Sequence, residues 1–409
     1  MKKKPFTAAG NLAGKLQRKA ARRARWAAAV TEEGVKDTMH ATRKAGEGVR
    51  DSVINQAKGV LKAVRKPLRR ASRRRDQLKE QESFNRIEWQ IEEELDRVIS
   101  RGRTLVAGPW ISEVGFEALY WVPFLRWVKA AFRVEPARVV AVSRGGVASW
   151  YRGIADRYVE IWDHIDPADF ARRTGERGAA KQVEVSAFDR ELVHVVERVA
   201  GTRVAMLHPS LMYRLFSLFW SGQRAQNFLD GHTRYEAIPP PQVLDGAALP
   251  REYVAVKFYA ARSLPDTPDV RRTLAWFVDS LAERTHVVLL DTGLVLDEHT
   301  DYAFGPSGRV ISARSWMAPN NNLAVQTQLI AGAQAYVGTC GSVAWLAPML
   351  GVNTSALYMD PKWLHAHLGV MLRACHRTGA GRFAALDLRA LDPIGSAQVS
   401  RLTAQEANP

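Results

Sequence analysis

The sequence predicts an α/β protein made of two doubly wound, Rossmann-like halves joined by a proline-rich hinge, with a basic, partly helical arm in front. Short apolar segments alternate with helical ones over most of the 409 residues, which is typical of parallel sheets covered by helices on both faces. Proline is concentrated at 236–250, between two such alternations. The excess of positive charge lies in the first 80 residues, so an arm is predicted at 1–82.

The arm carries the whole net charge of the chain. Residues 1–80 hold 23 basic and 7 acidic side chains, a formal charge of +16 that equals the charge of the full sequence. Three interpretations stay open: a solvated tail, docking on an anionic membrane surface, or contact with nucleic acid. The third is less favoured because Phe6 and Trp26 are the arm's only aromatic residues, and stacking on bases needs more.

The first half is predicted to be a domain over 83–245. An amphipathic helix at Phe84–Ser100 opens it, because apolar residues recur there at helical spacing opposite an acidic face. Helices are also predicted at 116–132, 150–155, 185–200 and 211–220. The predicted strands are Thr104–Gly108, Arg138–Ser143, Tyr158–Asp163 and Arg203–Leu207.

The second half is predicted to be a domain over 246–409, in which the alternation starts again. Helices are predicted at 270–284, 323–333 and 342–350. The predicted strands are Tyr253–Tyr259, His286–Gly293, Arg309–Ala313, Ala335–Thr339 and Asn353–Met359.

Several classes of protein are disfavoured by composition. No apolar run reaches the ~18 residues of a membrane-spanning helix. Cys340 and Cys375, the only cysteines, argue against a disulfide scaffold and a four-thiolate zinc site. The N-terminus lacks the apolar core of a secretory signal, so a cytoplasmic protein is predicted. No metal or cofactor is predicted, and His365 and His367 are discounted as zinc ligands because residues two apart on a helix point to different sides.

The turn Gly338–Ser342 is the most informative segment. It follows a predicted strand and opens a predicted helix, and its small residues would let backbone N–H groups approach an anion. The alternative is an ordinary strand-to-helix turn, in which the glycines provide the backbone geometry of the turn and Ser342 caps the helix.

This region resembles the donor-binding region of GT-B glycosyltransferases, particularly the bacterial heptosyltransferase-like group. The resemblance lies in Thr339, Gly341 and Ser342 of the turn and in the following LGVNTSALY, and it extends loosely over Thr104–Leu388. It implies two Rossmann-like domains facing each other across a cleft, with a nucleotide-sugar donor bound by the second and by these three residues.

Two basic residues lie near the end of the first strand of the second half, Lys257 within the predicted strand and Arg262 after it. In the family this position resembles one that supplies a cation to the nucleotide diphosphate, which implies donor binding by Lys257 and Arg262. The alternative is that Lys257 faces solvent and Arg262 pairs with Asp266.

Two carboxylates, Glu113 and Glu117, follow the first strand of the first half. The segment resembles the start of heptosyltransferases, where an acid is the catalytic base, and implies inverting, metal-independent transfer. Glu113 is ranked slightly ahead of Glu117 because it lies in the loop.

An acceptor-side surface is predicted at the ends of the next two strands. Arg144 lies in a flexible loop with two glycines, and Asp163 and His164 follow the third strand. A hydrogen-bonded loop histidine is the alternative interpretation of His164.

The resemblance implies transfer of a sugar from a nucleotide-activated donor to a hydroxyl of a glycan or lipid-linked acceptor. The arm would then hold the enzyme peripherally on the inner face of a membrane. Two alternatives stay open: a nucleotide-sugar epimerase on the same frame, and a non-catalytic protein associated with membrane or nucleic acid.

Overall fold

A computed structural model describes residues 82–176, 181–245, 249–294, 300–305 and 308–390. The predicted arm therefore lies outside the described residues except for its last position, as does part of the predicted hinge, 246–248. From Phe84 onward the chain forms one compact unit that contains both sheets.

The first half contains a four-stranded parallel sheet in the order β3-β2-β1-β4. Three of its strands, β1, β2 and β4, are buried over most of their length, whereas the edge strand β3 is buried only at Glu160. All four were predicted to within a few residues. They are β1 Thr104–Ala107, β2 Val139–Ser143, β3 Arg157–Glu160 and β4 Val204–Leu207.

The second half contains a six-stranded parallel sheet in the order β10-β9-β8-β5-β6-β7, which is the doubly wound order of a Rossmann fold. The fold class predicted from the sequence is therefore confirmed. The sequence analysis missed one edge strand, β10. The strands are β5 Tyr253–Lys257, β6 His286–Leu289, β7 Val310–Ser312, β8 Ala335–Thr339, β9 Asn353–Tyr358 and β10 Phe383–Asp387.

The helices of the first half begin with α1 at 82–99, which buries Ile91, Leu95 and Ile99. The second, α2, consists of Val114–Phe116, a π-helical turn at Glu117–Trp121 and Val122–Phe132. The others are α3 Pro167–Glu176, α4 Ala187–Ala200, α5 Ser210–Trp220 and α6 Gln226–Gly231.

The helices of the second half are α7 Pro268–Ala282, α8 Asn322–Ala331 and α9 His365–Thr378. The predicted helix at 342–350 is wrong. It consists of two short 3-10 segments, Ser342–Ala344 and Ala347–Leu350. Pro348 explains part of the break, since proline lacks an N–H and its ring clashes with the preceding turn. The predicted helix at 150–155 is likewise a 3-10 segment, Val147–Tyr151.

The two halves share a hydrophobic core, and the chain crosses back at its C-terminal end. One buried cluster includes residues of both sheets, from Leu105 of β1 to Ala356 of β9. Helix α9 contacts the first half, because Tyr120 Oη and His367 Nδ1 lie 2.6 Å apart and Arg373 pairs with Asp230 at 2.5 Å. The halves are therefore not independent lobes on a simple hinge.

Among the described helices, none combines the length and the apolar character that crossing a bilayer requires.

Candidate functional site

A cleft lies between the two sheets, at the carboxyl ends of their strands. Its cavity volume is about 60 Å³, and it opens to solvent. In open parallel sheets this edge is where ligands bind, because loops and helix starts converge there. The lining residues are Val114, Arg144 and Trp162 from the first half, and Lys257, Tyr259, Thr292, Leu294, Asp301, Asn322, Leu323, Gln326 and Ser342 from the second.

Glu117 is the most perturbed acid next to this cleft. It lies in the π-helical turn of α2 and is 0% exposed. Its Oε1 accepts hydrogen bonds from Ser143 Oγ and Tyr151 Oη, both at 2.5 Å. Its Oε2 has no hydrogen-bond partner among the described residues. Such π-turns are rare and frequently occur at functional sites.

The pKa of Glu117 is raised to about 7, chiefly because burial removes water from the carboxylate. The nearby Arg144 cation and the two hydroxyl donors oppose this shift without cancelling it. A carboxyl with a pKa near 7 can both accept and release a proton at neutral pH, which is the property of a general base. Glu117 does not line the cleft, but it lies near two residues that do: Val114, one turn earlier on the helix, and Arg144, whose cation acts on its pKa.

Glu113 is placed differently. It is half-buried and precedes α2 with an extended backbone, and its carbonyl accepts the amides of Phe116 and Glu117. It does not line the cleft itself, although the next residue, Val114, does.

Arg144 lies on the first-half wall, where the sequence predicted a flexible acceptor loop. It is buried, and its guanidinium donates to the carbonyls of Trp110 and Ser112. The adjacent glycines have φ near +80°, and their amides donate to the Glu160 carboxylate. The loop is therefore held in place by hydrogen bonds.

Lys257, at the end of β5, is the buried cation of the second wall. Its Nζ donates to the carbonyl of Leu290 at 3.0 Å and pairs with Asp301 at 3.1 Å. The alternative in which Lys257 faces solvent is therefore wrong. Asp301 also accepts a hydrogen bond from the amide of Thr292. The ammonium of Lys257 is therefore part of a hydrogen-bonded network.

The turn after β8 contributes less than the sequence predicted. Ser342 lines the cleft with a positive φ of 43°, and Gly341 has a φ of 140°. Thr339 is 0% exposed, and its hydroxyl is committed to Tyr259, accepting the amide and donating to the carbonyl, both at 2.9 Å. Because a three-residue 3-10 segment follows Ser342, the predicted α-helix dipole is not present at this turn.

Three predicted residues lie away from the cleft wall. Arg262 is exposed over the ring of Trp363, while Asp266 pairs with Arg271 instead. Asp163 and His164 are exposed, and Asp163 accepts a hydrogen bond from Asn320 of the second half. His164 is therefore not held as a buried base.

The two walls are in contact at Gly115. A Cβ at this position would lie 2.9 Å from the amide nitrogen of Ser342 and 2.8 Å from Trp345. The absence of a side chain thus permits contact between α2 and the turn after β8.

Sequence reasoning missed several lining residues, among them Tyr259, Thr292, Asp301 and Gln326. Tyr259 and Thr292 follow β5 and β6 by two or three residues, so the rule that ligands bind at strand ends could have indicated them. Asp301 and Gln326 carry no such signal, since a loop and a helix bring them to the cleft.

No protein-family model and no curated protein matches this chain. Among solved structures it is similar to Escherichia coli ADP-heptose lipopolysaccharide heptosyltransferase II (14% identity, TM-score 0.38), over 69% of this chain and 90% of the other. It is also similar to E. coli heptosyltransferase WaaC with ADP (13%, TM-score 0.34), over 72% and 99%. A Veillonella parvula family 9 glycosyl transferase is similar too (11%, TM-score 0.36), over 73% and 89%. The fold of this chain is described by its own two parallel sheets.

Proposed function

We propose that this protein transfers a sugar from a nucleotide-activated donor to a hydroxyl group of a glycan or lipid-linked acceptor, with inversion. The observation that carries the proposal is the pairing of opposite walls of one cleft. A buried acid with a pKa of about 7 lies near the first wall, and a buried ammonium lies in the second. Proton removal and diphosphate departure need these two kinds of group.

The proposed step breaks one bond and forms another. A carboxylate accepts the proton of the acceptor hydroxyl as its oxygen attacks the anomeric carbon. The bond from that carbon to the diphosphate oxygen breaks, and the nucleoside diphosphate leaves with the electron pair. The product carries the opposite configuration because attack and departure occur on opposite faces of the sugar.

Charge on the leaving diphosphate would be balanced by side chains. Lys257 and Arg144 both line the cleft, and Asp301 neutralises part of the ammonium charge. Ser342 adds a hydroxyl on the same wall. We therefore propose that the transfer itself proceeds without a divalent metal, and that Gly341 and Thr339 support the turn rather than touch the donor.

The base is proposed to be Glu117, with Glu113 as the alternative. Glu117 has the raised pKa and one oxygen without a hydrogen-bond partner among the described residues. Because Glu117 does not line the cleft, proton transfer requires the acceptor hydroxyl or one bridging water to reach that oxygen. Glu113, which the sequence analysis ranked first, is half-buried just before α2.

The experiment first identifies the donor and then separates the two acids. Thermal unfolding with nucleoside diphosphates and their sugars finds the ligand, since one at 100 times its Kd stabilises by ~2.7 kcal/mol. Glu117→Gln is then expected to lower kcat by roughly 10²- to 10⁴-fold while nucleotide affinity stays within about 3-fold. Glu113→Gln is the matched comparison, with a smaller loss expected.

Two results would contradict the proposal. If both variants keep full activity, neither acid is the base. If the wild type releases an isomerised sugar nucleotide with no acceptor present, the enzyme is an epimerase.

The arm is proposed to bind an anionic membrane surface from the cytoplasmic side. Its +16 charge supports this, at ~1 kcal/mol for each basic residue near such a surface. Co-sedimentation of the full chain with phosphatidylserine vesicles, but not with phosphatidylcholine vesicles, is the expected result. Preferential retention on RNA at the same salt would favour the nucleic-acid alternative.

A further inference from the structure

Three side chains away from the cleft converge at the end of α6. Glu88 and Glu92 lie one turn apart on α1, and His232 follows α6 directly. One ligand atom from each lies within 4.8 Å of the others, and none of the three residues lines the cleft. A pair of carboxylates alone is common on protein surfaces, so the histidine decides whether this is a site.

The imidazole of His232 is buried and held in one orientation. The residue is 8% exposed, and its ring contacts those of Trp127 and Phe228 at centroid distances of 4.9 and 4.6 Å. Its Nδ1 lies 2.8 Å from the carbonyl oxygen of Phe228. Because a carbonyl can only accept, Nδ1 carries the proton and the second nitrogen points away from this bond.

That second nitrogen, Nε2, faces the two carboxylates without a hydrogen bond. It lies 3.9 Å from Glu88 Oε1 and 4.0 Å from Glu92 Oε1, beyond the 2.7–3.2 Å of a hydrogen bond. In the neutral ring it presents a lone pair to oxygens that also only accept. A cation between the three atoms would satisfy all of them.

The three ligand atoms are close enough for one metal ion to bind all of them after a small movement. Zinc bonds to nitrogen and carboxylate oxygen are ~2.0–2.2 Å long, so two ligands of a tetrahedral ion lie roughly 3.4 Å apart, and the 3.9 and 4.0 Å separations from Nε2 have to shorten by about half an ångström. The partners of the ligands also resemble those of metal sites. Nδ1 donates to a carbonyl, and Arg224 binds the other oxygen of Glu88 at 3.1 Å, which orients Oε1.

We propose that Glu88, Glu92 and His232 bind a divalent transition-metal ion of the Zn²⁺ type. One imidazole nitrogen with two carboxylates suits zinc, manganese or iron(II) better than the all-oxygen preference of Mg²⁺ or Ca²⁺. The ion joins α1 to the end of α6. The ion therefore holds α1, the helix that follows the basic arm, against the rest of the protein. This role does not depend on the proposed sugar transfer.

The test uses the full, untagged chain after dialysis against EDTA. Zn²⁺ titrated calorimetrically is expected to bind with one equivalent and to raise the Tm, and Co²⁺ is expected to give visible absorption bands. Glu92→Gln should weaken binding at least 10-fold. Glu92 is 48% exposed and makes no hydrogen bond among the described residues, so the fold should tolerate this change. Glu93→Gln, its neighbour on α1, is the matched control and should bind as the wild type does.

Equal Zn²⁺ affinity in Glu92→Gln and the wild type, or no Zn²⁺-dependent rise in Tm, would overturn the proposal. His232→Asn provides a second reading, since it must abolish the Co²⁺ spectrum if the imidazole is a ligand. Transfer activity should not respond to EDTA, whereas the Tm should fall, and this separates the metal site from the proposed catalytic cleft.

Discussion

The two walls of the cleft hold their charged groups in opposite ways. On the first wall, Glu117 is fully buried, receives two hydroxyl hydrogen bonds and keeps one oxygen without a partner among the described residues. On the second wall, Lys257 reaches the cleft and is paired with Asp301. Burial raises the pKa of Glu117 even though the Arg144 cation lies nearby, whereas Lys257 is paired directly with a carboxylate.

This difference indicates which chemical role each wall can have. A carboxyl held near its pKa at neutral pH can exchange a proton, and an ammonium on the cleft wall can bind a phosphate group. The two walls meet where Gly115 lies against Ser342, so a change at that contact acts on both.

The largest expected effect is on the pH dependence of the free energy of unfolding, which tests whether Glu117 of the first wall is desolvated. The folded pKa of Glu117 is raised from 4.5 to about 7. Its contribution to stability is therefore full below pH 4.5 and is lost as the pH rises to 7, by roughly 3 kcal/mol. Urea unfolding of the wild type against Glu117→Gln at pH 4.5 and 7.5 measures this loss, which the variant should lack. Parallel pH curves would show that the acid is not desolvated.

The next effect tests the contact between the walls. In Gly115→Ala the new Cβ meets backbone atoms of Ser342 that cannot move aside cheaply, so the free energy of unfolding should fall by about 1–3 kcal/mol. Gly175→Ala, in α3 with nothing within 4 Å, is the matched control and should gain roughly 0.5–1 kcal/mol. Equal stability of both variants would mean that the walls do not touch as described.

The smallest expected effect is on nucleoside diphosphate binding at the second wall. It distinguishes Lys257 from Arg262, both of which were predicted from the sequence to bind the donor. Lys257→Gln should weaken nucleoside diphosphate binding ~10-fold, since it removes the buried ammonium from the cleft. Arg262→Gln should change it less than ~2-fold, because Arg262 is exposed over Trp363 and does not line the cleft. Calorimetric titration with the diphosphate measures both. A larger loss in the Arg262 variant would reverse the assignment.

Much of the fold was predictable because the signals are local. Apolar runs such as those of β1 and β5 and the helical spacing of α1 identify their elements without reference to the rest of the chain. Strand β10 was missed because it is an edge strand in which only Phe383 is buried, and it is defined by its pairing with β9. The composition of the segment 342–350 predicts an α-helix, yet the segment forms two short 3-10 turns among buried residues.

The candidate site was predictable in part. Lys257, Arg144 and Ser342 were found because they lie at or near strand ends, and strand ends converge in a doubly wound sheet. Thr339 also lies at the end of a strand, but its hydroxyl hydrogen-bonds the backbone of Tyr259 instead of facing the cleft. Whether a polar side chain faces a cleft or a neighbouring backbone depends on one torsion angle, which spacing does not encode.

The sequence by itself determined the alternation of strands and helices, the charge of the arm and the set of strand ends from which a site could be built. Each depends on residues close together in the chain. Only the tertiary structure decided that Glu117 is buried beside Tyr151, that Lys257 meets Asp301 and that His232 faces α1. Desolvation and pairing depend on what surrounds a charge in space, and those neighbours come from distant parts of the chain.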